Sequence, residues 1–335
     1  MKASLDNPVY TVYLVDGDTK YNITPTVINI DFSDQDKQIA QAVTLNITNI
    51  KASGTTMANL IKVRQRVFIN AEDGTQKGEV FRGWVWTRYL EAATAGQEIT
   101  IKCYDNLIYF QESEDSRYFS SGRKTDDIMQ TICNDWGIKL SYSYSTITHT
   151  KLVLRGTLSD IFKSDILDKV KERTGKKYVV TSQKDVMYVK PVGTNTPVYN
   201  ITAKKNAVST RMEQSMDGMV TKVVILGKAE DDSDKRPVVA TVAGDTSTYG
   251  TLQKLQDKDE DTSLADAKKE AQNVIKEKGT PSWVYEVRSP DIPWIRKGDK
   301  VHVEAGGMKG DFIAISIDRS ISNQAKEMTL TLNKA

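Results

Sequence analysis

The chain has 335 residues, 39% of them hydrophobic and 27% charged, the composition of a folded globular protein rather than a disordered one. Its 46 basic and 44 acidic side chains leave a formal net charge of +2, which excludes bulk charge as a route to nucleic acid or membrane. The length exceeds that of one ordinary core and predicts two to four domains.

Met1 to Pro8 lacks the apolar core of a signal peptide, and no window approaches the roughly 18 apolar residues of a membrane span. The expectation is a chain made and kept inside the cell without a membrane anchor. From Val9 to about Asp105 the pattern is almost wholly β. Residues 9–15, 27–32 and 43–50 carry apolar residues at alternate positions, and Asp16-Gly17-Asp18 and Asp73-Gly74 supply turn chemistry between such runs. Short strands of this kind predict an antiparallel barrel or sandwich.

Near Gly122 the period changes. Thr125 is the predicted N-cap of a helix, with Asp126 and Asp127 at its positive end and Ile128, Met129, Ile132, Cys133 and Trp136 on one face, ending at Gly137. A second helix starts at Ser159, turns Ile161, Phe162, Ile166, Leu167 and Val170 inward and stops at Gly175. Strand-like pieces at 151–154, 178–181 and 186–189 complete an α+β segment. The β pattern returns at 220–226 and is broken by a polar stretch from about Glu230 to Thr262. A helix capped by Ser263 follows, with Leu264, Ala267, Ala271, Val274 and Ile275 on one side and Gly279 at its end.

Two stretches read as copies of one another. Residues 61–70 and 295–304 are both basic turns entering a strand; a second strand then opens on Phe81 or Phe312 and carries Arg88 or Arg319 seven residues later. Residues 99–103 and 328–332 close each copy as a half-buried third strand. Any two β-meanders share some of this pattern. True duplication would let one chain present two near-equivalent faces, as a subunit needs when three copies must mimic six.

Candidate chemistry is sparse. The chain has two histidines, His149 and His302, neither with a Cys or second His at metal-ligand spacing. His302 stands at the repeat position of Phe68, where packing or a surface role suffices. Cys103, in a strand pattern, and Cys133, in a helical one, read as small buried hydrophobes in a reducing compartment. The run Asp257-Lys258-Asp259-Glu260-Asp261 looks like the start of a calcium loop, but an EF-hand needs Gly sixth and Glu twelfth, and Thr262 and Lys268 stand there. There is no Gly-rich phosphate loop and no G-x-S-x-G elbow. No catalytic, cofactor-binding or metal residue is therefore assigned, and a non-enzymatic role is expected.

Taken in order, Val80-Phe81-Arg82-Gly83-Trp84-Val85, the run from Cys103 to Ser113, Asp127-Ile128-Met129 through Trp136-Gly137-Ile138, and the basic-Gly-Asp turn from Arg296 to Val301 resemble a known family. It is the baseplate hub proteins of contractile phage tails, of the late-control-D type found in PBSX-like prophages. One departure is Arg64, where such proteins often have Gly at the first turn, so that turn is expected to differ. The resemblance implies a mainly β chain with an α+β insertion. Residues 1–111 would form a first tube-like antiparallel β-barrel, 112–197 a small α+β domain, and 198–335 a second barrel interrupted by an inserted loop region at about 230–280. It further implies a homotrimer whose six barrels join a six-fold tail tube protein to a three-fold central spike protein and contact other baseplate proteins, without sequence-specific nucleic-acid binding. Such a protein passes from the bacterial cytoplasm during assembly to the baseplate of a phage or a phage-tail-like bacteriocin. The competing reading is a cell-wall hydrolase or glycan-binding tail component, with Trp84, Trp86, Trp283 and Trp294 stacking on sugars.

Overall fold

The computed structural model describes residues 8–52, 54–93, 96–143, 146–228, 236–258 and 262–335. The N-terminal alternation produces strands Val9–Asp16, Thr19–Asn22, Val27–Asp34, Ala42–Thr48, Arg66–Glu72, Lys77–Ala93 and Gly96–Tyr104. All of their pairings are antiparallel. Along the first strand Tyr10, Val12 and Leu14 are buried while Thr11 and Tyr13 are not, the period of two that puts one face of a strand into a core. Val12, Leu14, Leu45, Ile47, Val67, Ile69, Ile99 and Ile101 are fully buried there, each contributing about 1.5–3 kcal/mol of apolar burial.

The second β-lobe contains Tyr199–Thr202, Ser209–Ser215, Ser282–Pro290, Lys300–Ala305, Met308–Ser322 and Lys326–Lys334. Its strands pair antiparallel except Tyr199–Thr202, which runs parallel to Lys300–Ala305. Gly306 and Gly307, at φ 55° and 86°, close the two-residue hairpin between Ala305 and Met308, a turn that needs positive φ at both positions. Past Ile317 the Met308–Ser322 strand pairs antiparallel with Val27–Asp34 of the first lobe. One 13-stranded sheet therefore runs through both lobes, and Ile321 lies in the core of the first. The mainly β class with small α insertions is what the structure has.

Between the lobes, helix Thr125–Asp135 and a continuous helical stretch over 158–174 pack on a two-stranded and a three-stranded sheet. Their core contains Phe110, Ile128, Ile132, Cys133, Phe162 and Met187, with Ile39 and Ala40 contributed by the first lobe. The first helix is capped one residue earlier than expected. Lys124 is its N-cap, because the Thr125 hydroxyl is turned to the Ile147 carbonyl and His149. In the second helix Thr157 accepts from the Asp160 amide, residues 161–167 are π-helical, and Gly175 ends it at φ 70°.

The interruption of the second lobe is larger and more ordered than a loop region at about 230–280. Lys222–Leu226, expected as a barrel strand, is the central strand of a separate sheet with Val238–Ala243 antiparallel and Gln253–Asp257 parallel to it. Helix Leu264–Lys278, capped by Ser263, buries Ala267, Ala271 and Val274 against Val223 and Ile225. Ser215 and Ser282 are directly paired, so this α/β unit enters and leaves the lobe at one point. The acidic residues 230–232 and 259–261 lie outside the described residues. Asp257, which begins the second run, pairs with Arg236 at 2.7 Å.

Candidate functional site at the repeated turns and the lobe junction

The two copies share backbone hardware. In the first, Arg64 has φ 68° and its amide donates to the Val85 carbonyl at 2.7 Å, while the Val85 amide donates to the Gln65 carbonyl at 2.9 Å. In the second, Gly298 has φ 84°, its amide donates to the Ala314 carbonyl at 2.7 Å, and the Ala314 amide donates to the Asp299 carbonyl at 2.8 Å. The side chain after each special residue closes the turn. Gln65 Oε1 accepts from the Lys62 amide at 2.7 Å, and Asp299 Oδ2 accepts from the Arg296 amide at 2.8 Å. The Arg64 turn thus does not differ from its glycine counterpart, contrary to expectation; this arginine takes the left-handed conformation itself.

Both second strands then bulge against their third strands, at Trp86 between Val85 and Thr87 and at Ile315 between Ala314 and Ser316; the first has a further bulge at Val80 against Arg66–Glu72. Aligning the Trp86 and Ile315 bulges places Val85 with Ala314, Gly83 with Phe312, and Leu90 with Arg319. Pairing Phe81 with Phe312 and Arg88 with Arg319 is thus wrong by two residues. A shift of two keeps every side chain on its own face of the strand, so alternation cannot detect it.

Between the lobes lies a buried polar cluster. Arg319 Nε donates to Asp291 Oδ1 at 2.9 Å and its Nη2 to the Ile295 carbonyl at 2.6 Å, and the Tyr10 hydroxyl of the first lobe donates to Asp291 Oδ2. Burial pushes the Asp291 carboxyl up and Arg319 opposes the shift, whereas Tyr10 is driven far above the phenol range by burial and then by Asp291. Nearby, Lys297 Nζ pairs with Asp34 at 2.7 Å and donates to the Gln38 and Gln35 carbonyls at 2.7 and 3.0 Å. Asp34, Asp291, Lys297 and Arg319 are each at most 6% exposed, a burial that charged groups tolerate only when paired. Trp294 Nε1 adds a bond to Asp73 across the lobes at 2.7 Å.

The α+β domain is fastened to the first lobe by the hairpin turn Lys184-Asp185, both at positive φ. Arg66 and Arg82 reach Asp185 at 2.6 and 3.3 Å, and Asn106 Nδ2 donates to its carbonyl at 2.8 Å. Asp105 accepts from the Gln41 and Leu107 amides at 3.0 and 2.9 Å, with its pKa pushed up to about 7 by burial. Lys190 holds Asp299 at 3.3 Å, which ties the same domain to the second turn. Sequence reasoning included Asp105, Lys297, Asp299 and Arg319 in its motifs but missed Asp291, Asp34 and Tyr10 as partners.

His149 is buried with Nε2 2.8 Å from Thr125 Oγ1; burial, then Arg173 and Lys169, hold its pKa down to about 4. His302 lies half-exposed 2.7 Å from Asp311, and that hydrogen bond raises its pKa, with Glu304 adding to it. Its NMR titration midpoint is expected above the ordinary imidazole value of 6.5 and should fall towards it in Asp311→Asn. Cys103 and Cys133 are fully buried, and burial alone drives both thiols up. Among the described residues no three His, Cys, Asp or Glu side chains gather as a metal site, and no helix is long and apolar enough to cross a membrane. Of the four tryptophans proposed for glycans, Trp84 lies under Arg66 at 4.2 Å, Trp294 bonds Asp73, Trp86 packs edge-on against Tyr104 and Tyr109, and Trp283 stacks on Tyr285.

A family model described as YQBQ-like matches residues 30–333. The chain belongs to the YqbQ-like family. Its fold is similar to that of the 43 kDa tail protein of prophage MuSo2 from Shewanella oneidensis, at TM-score 0.70 and 16% identity over 97% of this chain and 98% of that one. A tail protein from Neisseria meningitidis follows at TM-score 0.69 and 14% identity, over 97% and 96%. An E. coli protein described as a component of the type VI secretion system, structurally similar to the T4 tail proteins gp27 and gp5, matches at TM-score 0.56 and 9% identity, over 92% and 74%. A comparison with curated proteins finds no match. This YqbQ-like chain thus has the fold of phage tail proteins.

Proposed function

We propose that this YqbQ-like protein is the structural baseplate hub of a contractile tail or tail-like particle. Three copies form a ring of six β-lobes that joins a six-fold tail tube to a three-fold central spike, and the protein works without catalysis. The observation that carries this reading is the pair of lobes with the same turn, bulge and third strand, locked by buried ion pairs and one shared sheet. A chain built so supplies two of six quasi-equivalent segments at a fixed spacing, and cyclic closure of three chains satisfies both symmetries. The likeness to prophage tail proteins and to a protein described as gp27- and gp5-like supports the same role. The α+β domain and the inserted α/β unit, joined by Arg173–Glu270 at 3.3 Å and Lys254–Glu172 at 3.5 Å, stand as the surfaces for other baseplate proteins. Assembly would take place in the bacterial cytoplasm before incorporation into the particle. Negative-stain projections of the purified protein are expected to show six lobes around an open centre with three-fold modulation. Projections of two or four lobes would contradict the ring.

A further inference from the structure

The contact between the lobes within one chain is a template for a contact between chains. Along one edge of the Met308–Ser322 strand, Lys300–Ala305 pairs as far as Ile313, and from Ile317 the same edge is taken by Val27–Asp34. Along the corresponding edge of Lys77–Ala93, Arg66–Glu72 pairs as far as Trp84; beyond it, among the described residues, no strand follows. With the bulges aligned, residues 88–93 occupy the positions that 317–322 hold in the second copy. They are the free half of the template.

The other half also lacks a second strand partner among the described residues, with the Gly306-Gly307 turn lying against the side chains of Thr210 and Met212. Val27–Asp34 pairs with Ala42–Thr48, which pairs with the third strand of the first copy; Ser209–Ser215 pairs with Ser282–Pro290, which pairs with the third strand of the second. Ser209–Ser215 ends the sheet, with five of its seven residues exposed and Thr210 and Ser215 half-buried. Tracing partners from Cys103 and Leu332, equivalent third-strand residues, through Val43 and Tyr285, makes Phe32 the counterpart of Met212.

We propose that residues 88–93 of one chain add antiparallel to the Ser209–Ser215 edge of a second copy, with Leu90 opposite Met212 and Glu91 opposite Arg211. The inference rests on the ring reading above and fixes its register. In the template Arg319 faces Phe32 and Ser320 faces Asp31, the latter pair bonded at 2.8 Å. Transposed between chains, these become an apolar pair and an oppositely charged pair, each favourable across strands. Leu90 and Met212 are 44% and 45% exposed, and Tyr89 and Trp283 beside them are also exposed. Open edges with apolar side chains invite strand addition. A second copy is the occupant that carries both complementary edges, and head-to-tail addition closes into a ring when the rotation permits.

The test is disulfide trapping in the full chain. The Leu90→Cys/Met212→Cys variant, mildly oxidised and run without reductant, is expected to give a ladder ending in a covalent trimer that collapses on reduction. Each single variant should stay monomeric on the gel, because Cys103 and Cys133 are fully buried. Leu90→Cys with Ser209→Cys, out of register, should cross-link at least tenfold less. A protein that is trimeric by light scattering but gives no cross-link in the in-register pair overturns the strand pairing and leaves the ring standing. A monomer at every concentration overturns the ring and the pairing with it.

Discussion

Arg319→Ala is expected to destabilise the protein by about 3–5 kcal/mol, because removing one partner of a buried ion pair strands the other charge. Here the stranded group is Asp291, whose remaining hydrogen-bond partner is the Tyr10 hydroxyl, and the Ile295 carbonyl loses its shorter donor, keeping Arg296 Nη1 at 3.4 Å. The loss would appear as a lower urea midpoint. It should be largely recovered in Arg319→Leu/Asp291→Leu, which removes both charges and leaves apolar bulk. Arg88→Ala is the informative comparison. The repeat read from sequence made Arg88 the twin of Arg319, yet Arg88 is exposed and reaches only the Ala58 carbonyl, so its removal should cost about 0.5 kcal/mol or less. Equal losses in the two variants would contradict the bulge-based alignment.

The second large effect is expected at Gly298. Writing the first copy's residue into the second, as Gly298→Arg, should cost more than about 3 kcal/mol, from a left-handed backbone worth 1–2 kcal/mol and overpacking worth 1–3. A Cβ there would lie 2.4 Å from Val179 Cγ1 and 2.8 Å from Val179 Cβ, in the hairpin that docks the α+β domain on this turn. Arg64 occupies the same backbone conformation in the first copy with its side chain exposed, so Arg64→Gly should be neutral or stabilising by up to about 1 kcal/mol. Thermal unfolding of both variants checks the pair, and Val179→Ala should return part of the stability lost in Gly298→Ala. The repeat is thus symmetric in backbone and asymmetric in what rests on it.

The β-lobes were legible because alternation at residues 9–15 and 43–50 is a direct record of which face is buried, and the helices because Ser263, Gly137 and Gly175 mark their ends. The central strand of the inserted unit, Lys222–Leu226, was assigned to the wrong sheet; a continuous apolar run states that a strand is buried, not against what. The junction was least legible. Lys297 stands in the marked basic turn, but Asp291 lies in a short loop with no periodicity, and the partners Tyr10 and Asp34 lie in the opposite end of the chain, so nothing local marks the pairings. The duplication itself was visible through its two basic turns entering a strand, while its register needed the bulges at Trp86 and Ile315, which leave no sequence signal of their own.

The most direct test of the ring is the mass of the purified protein in solution by light scattering across a range of concentrations. The account predicts a species near three times the 37.5 kDa chain that dissociates only to monomer on dilution. A stable dimer, or a monomer at every concentration, would contradict it.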